Sequence, residues 1–126
     1  MGSPVRVVNG TRETVLAARA RLADGPWSRL RGLLGSSRLA DGDGMVLEPC
    51  RSVHTFFLRY PIDVVFAARD GRVVAIAEAL PPWRMTSWHP TAWRAVELPA
   101  GTVASTHTAR GDVLLVESLE DPCVSS

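Results

Sequence analysis

Short apolar segments separated by glycine, proline and aspartate set the strongest limit on how this chain folds. The segments are rich in the β-branched and aromatic residues that favour strands, and they occupy residues 4–8, 44–49, 51–58, 62–68, 72–80, 92–99 and 112–117. Asp70-Gly71 is a tight-turn signal between two of them. Strands of this length, joined by turns, predict a mainly β fold: a small, mostly antiparallel β-barrel or curled sheet.

Residues 13–24 give conflicting signals. Their Ala, Leu and Arg content favours helix by intrinsic propensity. Their apolar positions recur at period two, which favours a strand; these positions are Leu16, Ala18, Ala20 and Leu22. The residues alone leave helix and strand open here.

Residues 24–35 carry a clearer helical pattern. Pro26 fits the first turn of a helix, and Gly35 is a C-terminal stop signal. Between them Trp27, Leu30 and Leu34 fall at helical spacing on one face. We therefore expect one short α-helix near the N-terminus.

Size and charge restrict the class of protein. A chain of 126 residues that is 46% hydrophobic can bury a core as a single domain over residues 1–126. We expect the polar tail at 118–126 to fray. The 14 basic and 13 acidic residues nearly cancel, which argues against nucleic acid as a partner.

Targeting and cysteine signals are weak. No apolar run approaches the roughly 20 residues of a membrane span, and the N-terminus lacks the apolar core of a signal peptide, so we expect a cytoplasmic protein. Cys50 and Cys123 show no metal-binding spacing. We expect no cofactor, no metal site and a monomeric chain.

An ordered set of motifs resembles a known family. In chain order the motifs are "WSRLRGLLG", Gly44-Met45, "HTFFLRYPIDVVF", "DGRVVAI", "VELPAG" and Gly111-Asp112. Together they resemble the domain-of-unknown-function 192 family, also called uncharacterised protein family 0127, over about residues 15–116. The resemblance implies a compact, mostly antiparallel β-barrel with a short helix near its start, and it favours a strand over the ambiguous residues 14–23. It implies no established activity.

This chain departs from the family in two respects. Other members often carry a Trp-Met-Lys-Asn-like stretch where this chain has residues 54–59, and many have secretory leaders. Neither feature is visible in this sequence, so an extracytoplasmic setting is not carried over from the resemblance.

Asp63 is the most unusual residue of the apolar segments. A carboxylate between Ile62 and Val64 is costly to bury unless it is paired or hydrogen-bonded. One interpretation is an Arg-Asp site, with Arg51 or Arg59 as partner, for a polar or anionic ligand. The interpretation we favour from sequence is that Asp63 accepts backbone hydrogen bonds near the proline bend that precedes it.

His54 is a candidate general base or ligand group because its unperturbed pKa lies near neutrality. Ser52 is two residues away, and Asp63 completes a formal Ser-His-Asp set. No nucleophile elbow accompanies this set, so a hydrogen-bonded strand histidine is the favoured interpretation. His54, His89 and His107, with the two cysteines, match no zinc spacing.

The segment 81–90, "PPWRMTSWHP", is a long loop with Trp83 and Trp88 beside Arg84 and His89. Aromatic faces next to an arginine suit sugar rings, bases or another protein. The alternative is that these rings cover one end of the barrel. The sequence leaves the two alternatives open.

These observations lead to a functional hypothesis. We expect a non-enzymatic binding or interaction module for a small polar ligand or a peptide. Its candidate site residues are Arg51, His54, Arg59, Asp63, Trp83 and Trp88. The alternatives are a small hydrolase-like enzyme that uses His54 with Asp63, and an accessory protein that docks on a secretion or pilus assembly.

Overall fold

Seven strands and one short helix form the described part of the chain. The computed structural model describes residues 3–23, 39–56 and 58–120. In chain order the elements are β1 (Ser3–Asn9), β2 (Thr14–Ala23), β3 (Asp43–Leu47), β4 (Ile62–Ala67), β5 (Val73–Leu80), β6 (Arg94–Pro99), α1 (Thr102–Thr106) and β7 (Leu114–Ser118). The strands make one sheet in the order β5-β4-β6-β3-β2-β1-β7, so the mainly β prediction is confirmed.

The sheet is mostly antiparallel and curls into a half-barrel. Its pairings are antiparallel except the one between β2 and β3, which is parallel. The two edge strands, β5 and β7, approach each other where a bridge joins Arg72 to Val113. The sheet therefore nearly closes at one end. This is the curvature expected of a small barrel or curled sheet built from short strands joined by turns.

The central strands of the sheet are covered on both faces, because two apolar clusters lie on opposite sides of them, whereas β1, β2 and β7 each expose one face. Side chains alternate along β4. Val65 and Ala67 therefore belong to one cluster, called the first apolar cluster, and Ile62, Val64 and Phe66 belong to the other, the second apolar cluster. All six residues of β4 are buried. β4 is therefore a central strand that is covered on both sides.

The ambiguous residues 14–23 form β2, as the family resemblance implied. Leu16, Ala17, Ala20 and Ala23 are buried along this strand, and it pairs with β1 through a register that shifts twice. These shifts explain why burial along β2 does not follow the period-two positions of the sequence: Ala18 is exposed, and Leu22 is only half-buried. Burial between β1 and β3 overrides the helical propensity of its alanines and arginines.

Two predictions about local structure need correction. The expected helix over residues 26–34 lies outside the described residues, and the helix that the structure does describe, α1, follows β6, so a single helix near the N-terminus is not supported. The sequence predicts a strand over residues 51–58. Among their described residues only His54 makes a β-bridge, and that bridge lies outside the sheet. This segment is a loop whose Val53 and Leu58 side chains are buried against the second apolar cluster.

Within the described ranges, no helix is long and apolar enough to cross a membrane.

Candidate functional site

Two segments outside the seven-stranded sheet, residues 51–55 and 83–89, pair with each other through backbone hydrogen bonds. They carry most of the predicted site residues. His54 and Met85 form an antiparallel bridge. The Thr55 N–H donates to the Arg84 carbonyl at 2.8 Å, and the Thr86 N–H donates to the Val53 carbonyl at 2.8 Å. This is the pattern of a non-hydrogen-bonded antiparallel pair, in which the facing side chains are closest. Residues 54–56 and 83–85 therefore present alternate side chains on one common face.

That common face is a row of aromatic and apolar side chains, of which Phe56 is half-buried and the others are exposed. The His54 ring stacks on Phe56 with 4.8 Å between ring centroids, and Phe56 stacks on Trp83 at 5.9 Å. Met85 lies opposite His54 and is 63% exposed, and Trp83 is 56% exposed. We call His54, Phe56, Trp83 and Met85 the aromatic ridge. Sequence reasoning missed Phe56 and Met85, although their i+2 spacing from His54 and Trp83 is the signal that would have found them.

Thr55 anchors the ridge to the rest of the molecule. Its side chain points inward and is fully buried. Its hydroxyl donates to the Pro81 carbonyl at 2.6 Å and accepts the Arg84 N–H at 2.9 Å. Trp83 itself adopts a positive φ of 62°, a left-handed conformation that costs a residue with a side chain about 1–2 kcal/mol. The two segments are thus held by buried hydrogen bonds despite local strain.

The remaining predicted residues of this region surround the ridge without a common centre. The Arg51 Nε donates to the Pro90 carbonyl at 3.3 Å, and Arg59 is exposed. Trp88 is 66% exposed. His89 instead turns inward, with its ring 4.6 Å from the Phe66 ring.

Asp63 lies elsewhere, inside the sheet. It is fully buried on β4, and both of its side-chain oxygens accept backbone hydrogen bonds. Oδ1 accepts the Ala79 N–H at 2.8 Å, while Oδ2 accepts the N–H groups of Gly101 and Val103 at 3.1 and 2.9 Å. The sequence interpretation named the right kind of partner but placed it wrongly, near the proline bend.

The position of Asp63 explains why those amides need an acceptor. Ala79 has a positive φ of 48° where the β4–β5 register shifts between Ile62 and Val64, so its N–H leaves the regular ladder. Gly101 precedes α1 and provides no side-chain cap. Asp63 therefore caps α1 from across the fold and fixes the irregularity of β5.

The formal Ser-His-Asp set is not assembled. The oxygens of Asp63 are engaged by backbone amides, whereas His54 is exposed on the ridge. Over the described ranges, these two side chains share no hydrogen bond, and no group of three or more His, Cys, Asp or Glu residues could hold a metal ion. Cys50 is buried, and its Sγ–H donates to the Ser52 carbonyl at 3.1 Å; Cys123 lies outside the described residues.

A second buried polar cluster joins the β1–β2 turn to the loop before β7. The Asn9 Nδ2 donates to Asp112 Oδ2 at 3.0 Å and to Thr108 Oγ1 at 3.2 Å. Arg12 Nε and the Ala109 N–H also donate to Asp112 Oδ2, each at 3.0 Å. The hydrogen bond from Asn9 is the main reason that the pKa of Asp112 is lowered, with smaller contributions from Ala109 and Arg12, against burial, which raises it. Sequence reasoning did not identify this cluster.

Two open grooves lie away from the ridge. One, of about 460 Å³, runs between β2 and α1 and is bordered by residues such as Val15, Ala18 and Ser105. The other, of about 450 Å³, lies where the edge strands meet and is bordered by Arg72, Val73, Val74, Thr91, Arg110 and Gly111.

The fold and the ridge define a small half-barrel protein whose central strands are covered on both faces and whose exposed aromatic side chains lie on a separate pair of segments. Comparison with known proteins gives the family. The chain belongs to the DUF192 family, described as "Uncharacterized ACR", which matches residues 7–116. The function of this family is uncharacterised.

One curated relative supports this assignment, and two solved structures are similar in fold. A UPF0127 protein of Thermococcus sibiricus is 28% identical over 110 residues, which cover 84% of this chain and 71% of the relative. A crystal structure of a protein of unknown function from Novosphingobium aromaticivorans has a TM-score of 0.74 and 25% identity, covering 89% of this chain and 83% of that one. A putative transcription regulator from Sinorhizobium meliloti has a TM-score of 0.76 and 24% identity, covering 92% and 94%, and this likeness concerns the fold alone.

Proposed function

We propose that this protein is a non-enzymatic interaction module that binds an acidic, apolar peptide segment of a partner protein on the aromatic ridge. The observation that carries the proposal is the exposure of Trp83 and Met85, at 56% and 63%, in a row with stacked His54 and Phe56 rings. Tryptophan, methionine and aromatic side chains are enriched at interfaces because they bury much apolar area with few rotatable bonds.

The charge around the ridge selects the partner's chemistry. Segments 49–61 and 81–93 contain Arg51, Arg59 and Arg84 and two histidines, but no Asp or Glu. The chain as a whole carries a formal charge of only +1, so the two segments that bear the ridge are more basic than the rest of the sequence. A partner segment that combines glutamate or aspartate with leucine or aromatic residues matches both features.

The backbone supports a functional role for the ridge. The positive φ of Trp83 is a strained conformation, and such strain is concentrated at binding and catalytic sites. Thr55, fully buried beneath the ridge, holds this conformation through its bonds to Pro81 and Arg84. A rigid, pre-formed surface lowers the entropy cost of binding.

The alternatives fit these observations less well. A small hydrolase would need Asp63 near His54, but Asp63 accepts three backbone hydrogen bonds inside the sheet. A site for a small polar ligand at Asp63 meets the same objection, because its side chain is fully buried. An accessory protein that docks on a secretion or pilus assembly could use the same ridge. The test therefore concerns which kind of peptide the ridge binds.

The test measures fluorescence polarisation of labelled peptides in which glutamate alternates with leucine and tryptophan. The same peptides with lysine in place of glutamate are the charge control. We expect saturable binding of the acidic set that weakens with added salt. Trp83→Ala and Met85→Ala should each weaken binding by roughly tenfold or more, as expected for the centre of an interface.

Leu115→Ala is the matched control variant, because Leu115 is an exposed apolar residue, at 49%, on the distant strand β7. It should bind like the unmodified protein. Equal binding of the acidic and basic peptides, or undiminished binding by both ridge variants, would refute the proposal.

A further inference from the structure

Two arginines border the groove at which the edge strands of the half-barrel meet. Arg72 lies directly before β5, and Arg110 lies in the loop before β7; both are exposed and line a space of about 450 Å³ together with Thr91 and Gly111. Across residues 3–23, 39–56 and 58–120, neither guanidinium takes part in an ion pair or a side-chain hydrogen bond. Two positive charges therefore face one groove that is large enough for a small molecule.

The turns that carry these arginines are locked together. The Val73 N–H donates to the Asp112 carbonyl at 2.8 Å, and the Gly111 N–H donates back to the Val73 carbonyl at 2.9 Å. The Leu114 N–H donates to the Gly71 carbonyl at 2.8 Å. A Cβ on Gly71 would lie 2.4 Å from the Leu114 carbonyl oxygen, which shows how closely the two backbones approach. Because the turns cannot separate without breaking these bonds, the two guanidinium groups are attached to a pre-organised base.

The acids nearby do not cancel this charge. Asp112 is buried and already accepts hydrogen bonds from Asn9 and Arg12. Asp70 is exposed and uses Oδ1 to accept a backbone N–H within its own turn. Arg69 adds a further positive charge in the same turn, held over the Trp93 ring at 3.8 Å.

We propose that Arg72 and Arg110 form a binding site for a small, multiply charged oxyanion. Guanidinium groups bind phosphate and carboxylate oxygens in a bidentate manner, and the Thr91 hydroxyl at the border of the groove can donate to a further oxygen. A ligand with two anionic groups fits best, because one ion pair with each arginine uses both charges. The site is independent of the aromatic ridge, since no ridge residue borders this groove.

The experiment is an NMR titration of the full chain with pyrophosphate, citrate and inorganic phosphate at constant ionic strength, with chloride as the reference anion. We expect saturable shifts of the amides of residues 72–74 and 110–111. Pyrophosphate binding stronger than citrate binding would identify a phosphate-bearing ligand, and the reverse order would identify a polycarboxylate; either order supports the site.

Substitutions decide whether the arginines are responsible. Arg72→Gln combined with Arg110→Gln should weaken binding by roughly tenfold or more. Arg21→Gln, which removes an exposed arginine of β2, is the matched control and should leave it unchanged. Trp83→Ala should also leave it unchanged, so failure of the ridge proposal and failure of this one are distinguishable. Absence of saturable shifts, shifts equal to those with chloride, or equal weakening by Arg21→Gln would overturn the inference.

Discussion

Asp63→Asn should strongly destabilise the fold, because Asp63 serves three backbone donors at once. Asparagine keeps the size of the side chain but replaces one carboxyl oxygen by an amide that donates. If its oxygen stays with Gly101 and Val103, its NH₂ group faces the Ala79 N–H, and both groups are then donors. A lost hydrogen bond to a charged group, with a buried donor left unsatisfied, costs about 2–4 kcal/mol. Asp63→Ala leaves all three amides without their acceptor and should cost about 3–5 kcal/mol.

Urea unfolding followed by tryptophan fluorescence measures this effect. With a slope of about 1–3 kcal/mol per molar urea, Asp63→Asn should lower the midpoint by about 0.7–4 M while leaving the slope unchanged. Asp70→Asn is the matched control, because the Asp70 side chain accepts one backbone N–H in an exposed turn and its loss should cost about 1 kcal/mol or less. A midpoint for Asp63→Asn that equals that of Asp70→Asn would show that the buried carboxyl is not the organiser of β5 and α1.

Three further predictions concern the parts of the fold around the half-barrel. Gly71→Ala should lower the free energy of unfolding by about 2–4 kcal/mol, which is clearly more than Gly101→Ala should. Both glycines have positive φ, but of the two only a Cβ at position 71 meets a neighbouring atom, and chemical denaturation of the two variants measures the difference. Because the pKa of Asp112 is lowered in the fold, its carboxylate stabilises the folded state above the ordinary carboxyl pKa near pH 4, and this stabilisation is lost as pH falls through the pKa of the folded state. Asn9→Ala removes the main cause of the lowered pKa, so it should flatten the dependence of the unfolding free energy on acid pH. Arg94→Met should destabilise more than its combination with Glu48→Met, because the single change leaves a largely buried carboxylate unpaired; a double-mutant cycle measures the difference.

The strands were predictable because local pattern and tertiary environment agree in them. The Asp70-Gly71 signal does mark the turn between β4 and β5, where Gly71 has a φ of 93° and its N–H donates to Ala68 at 2.9 Å. The apolar run at 62–67 does form a fully buried strand. In both cases a few neighbouring residues contain the information that determines the structure.

Structure that depends on distant contacts was not predictable. Helix α1 follows Gly101 with β-branched Thr102 and Val103, which are poor helix formers, and its cap comes from Asp63 on another element. Residues 51–58 resemble a strand by composition. The described residues 51–56 and 58 do not enter the sheet, because the backbone of Arg51, Val53 and Thr55 bonds to residues 83–89 instead.

The candidate site shows the same division between local and distant information. The sequence identified His54 and Trp83 as unusual residues, and i+2 spacing relates Phe56 to the first and Met85 to the second, but it could not show that the two pairs share one face, because that depends on pairing between segments almost thirty residues apart. It also grouped Asp63 with His54, since neighbours along the chain are the only neighbours that a sequence displays. The pairing separates these two residues: Asp63 is enclosed by β5 and α1, and His54 is exposed beside aromatic rings. A buried carboxylate that already has three donors stabilises the scaffold and has no oxygen left for a ligand, whereas the side chains of Trp83 and Met85 remain largely open to solvent, which is why our binding proposal concerns the ridge and not Asp63.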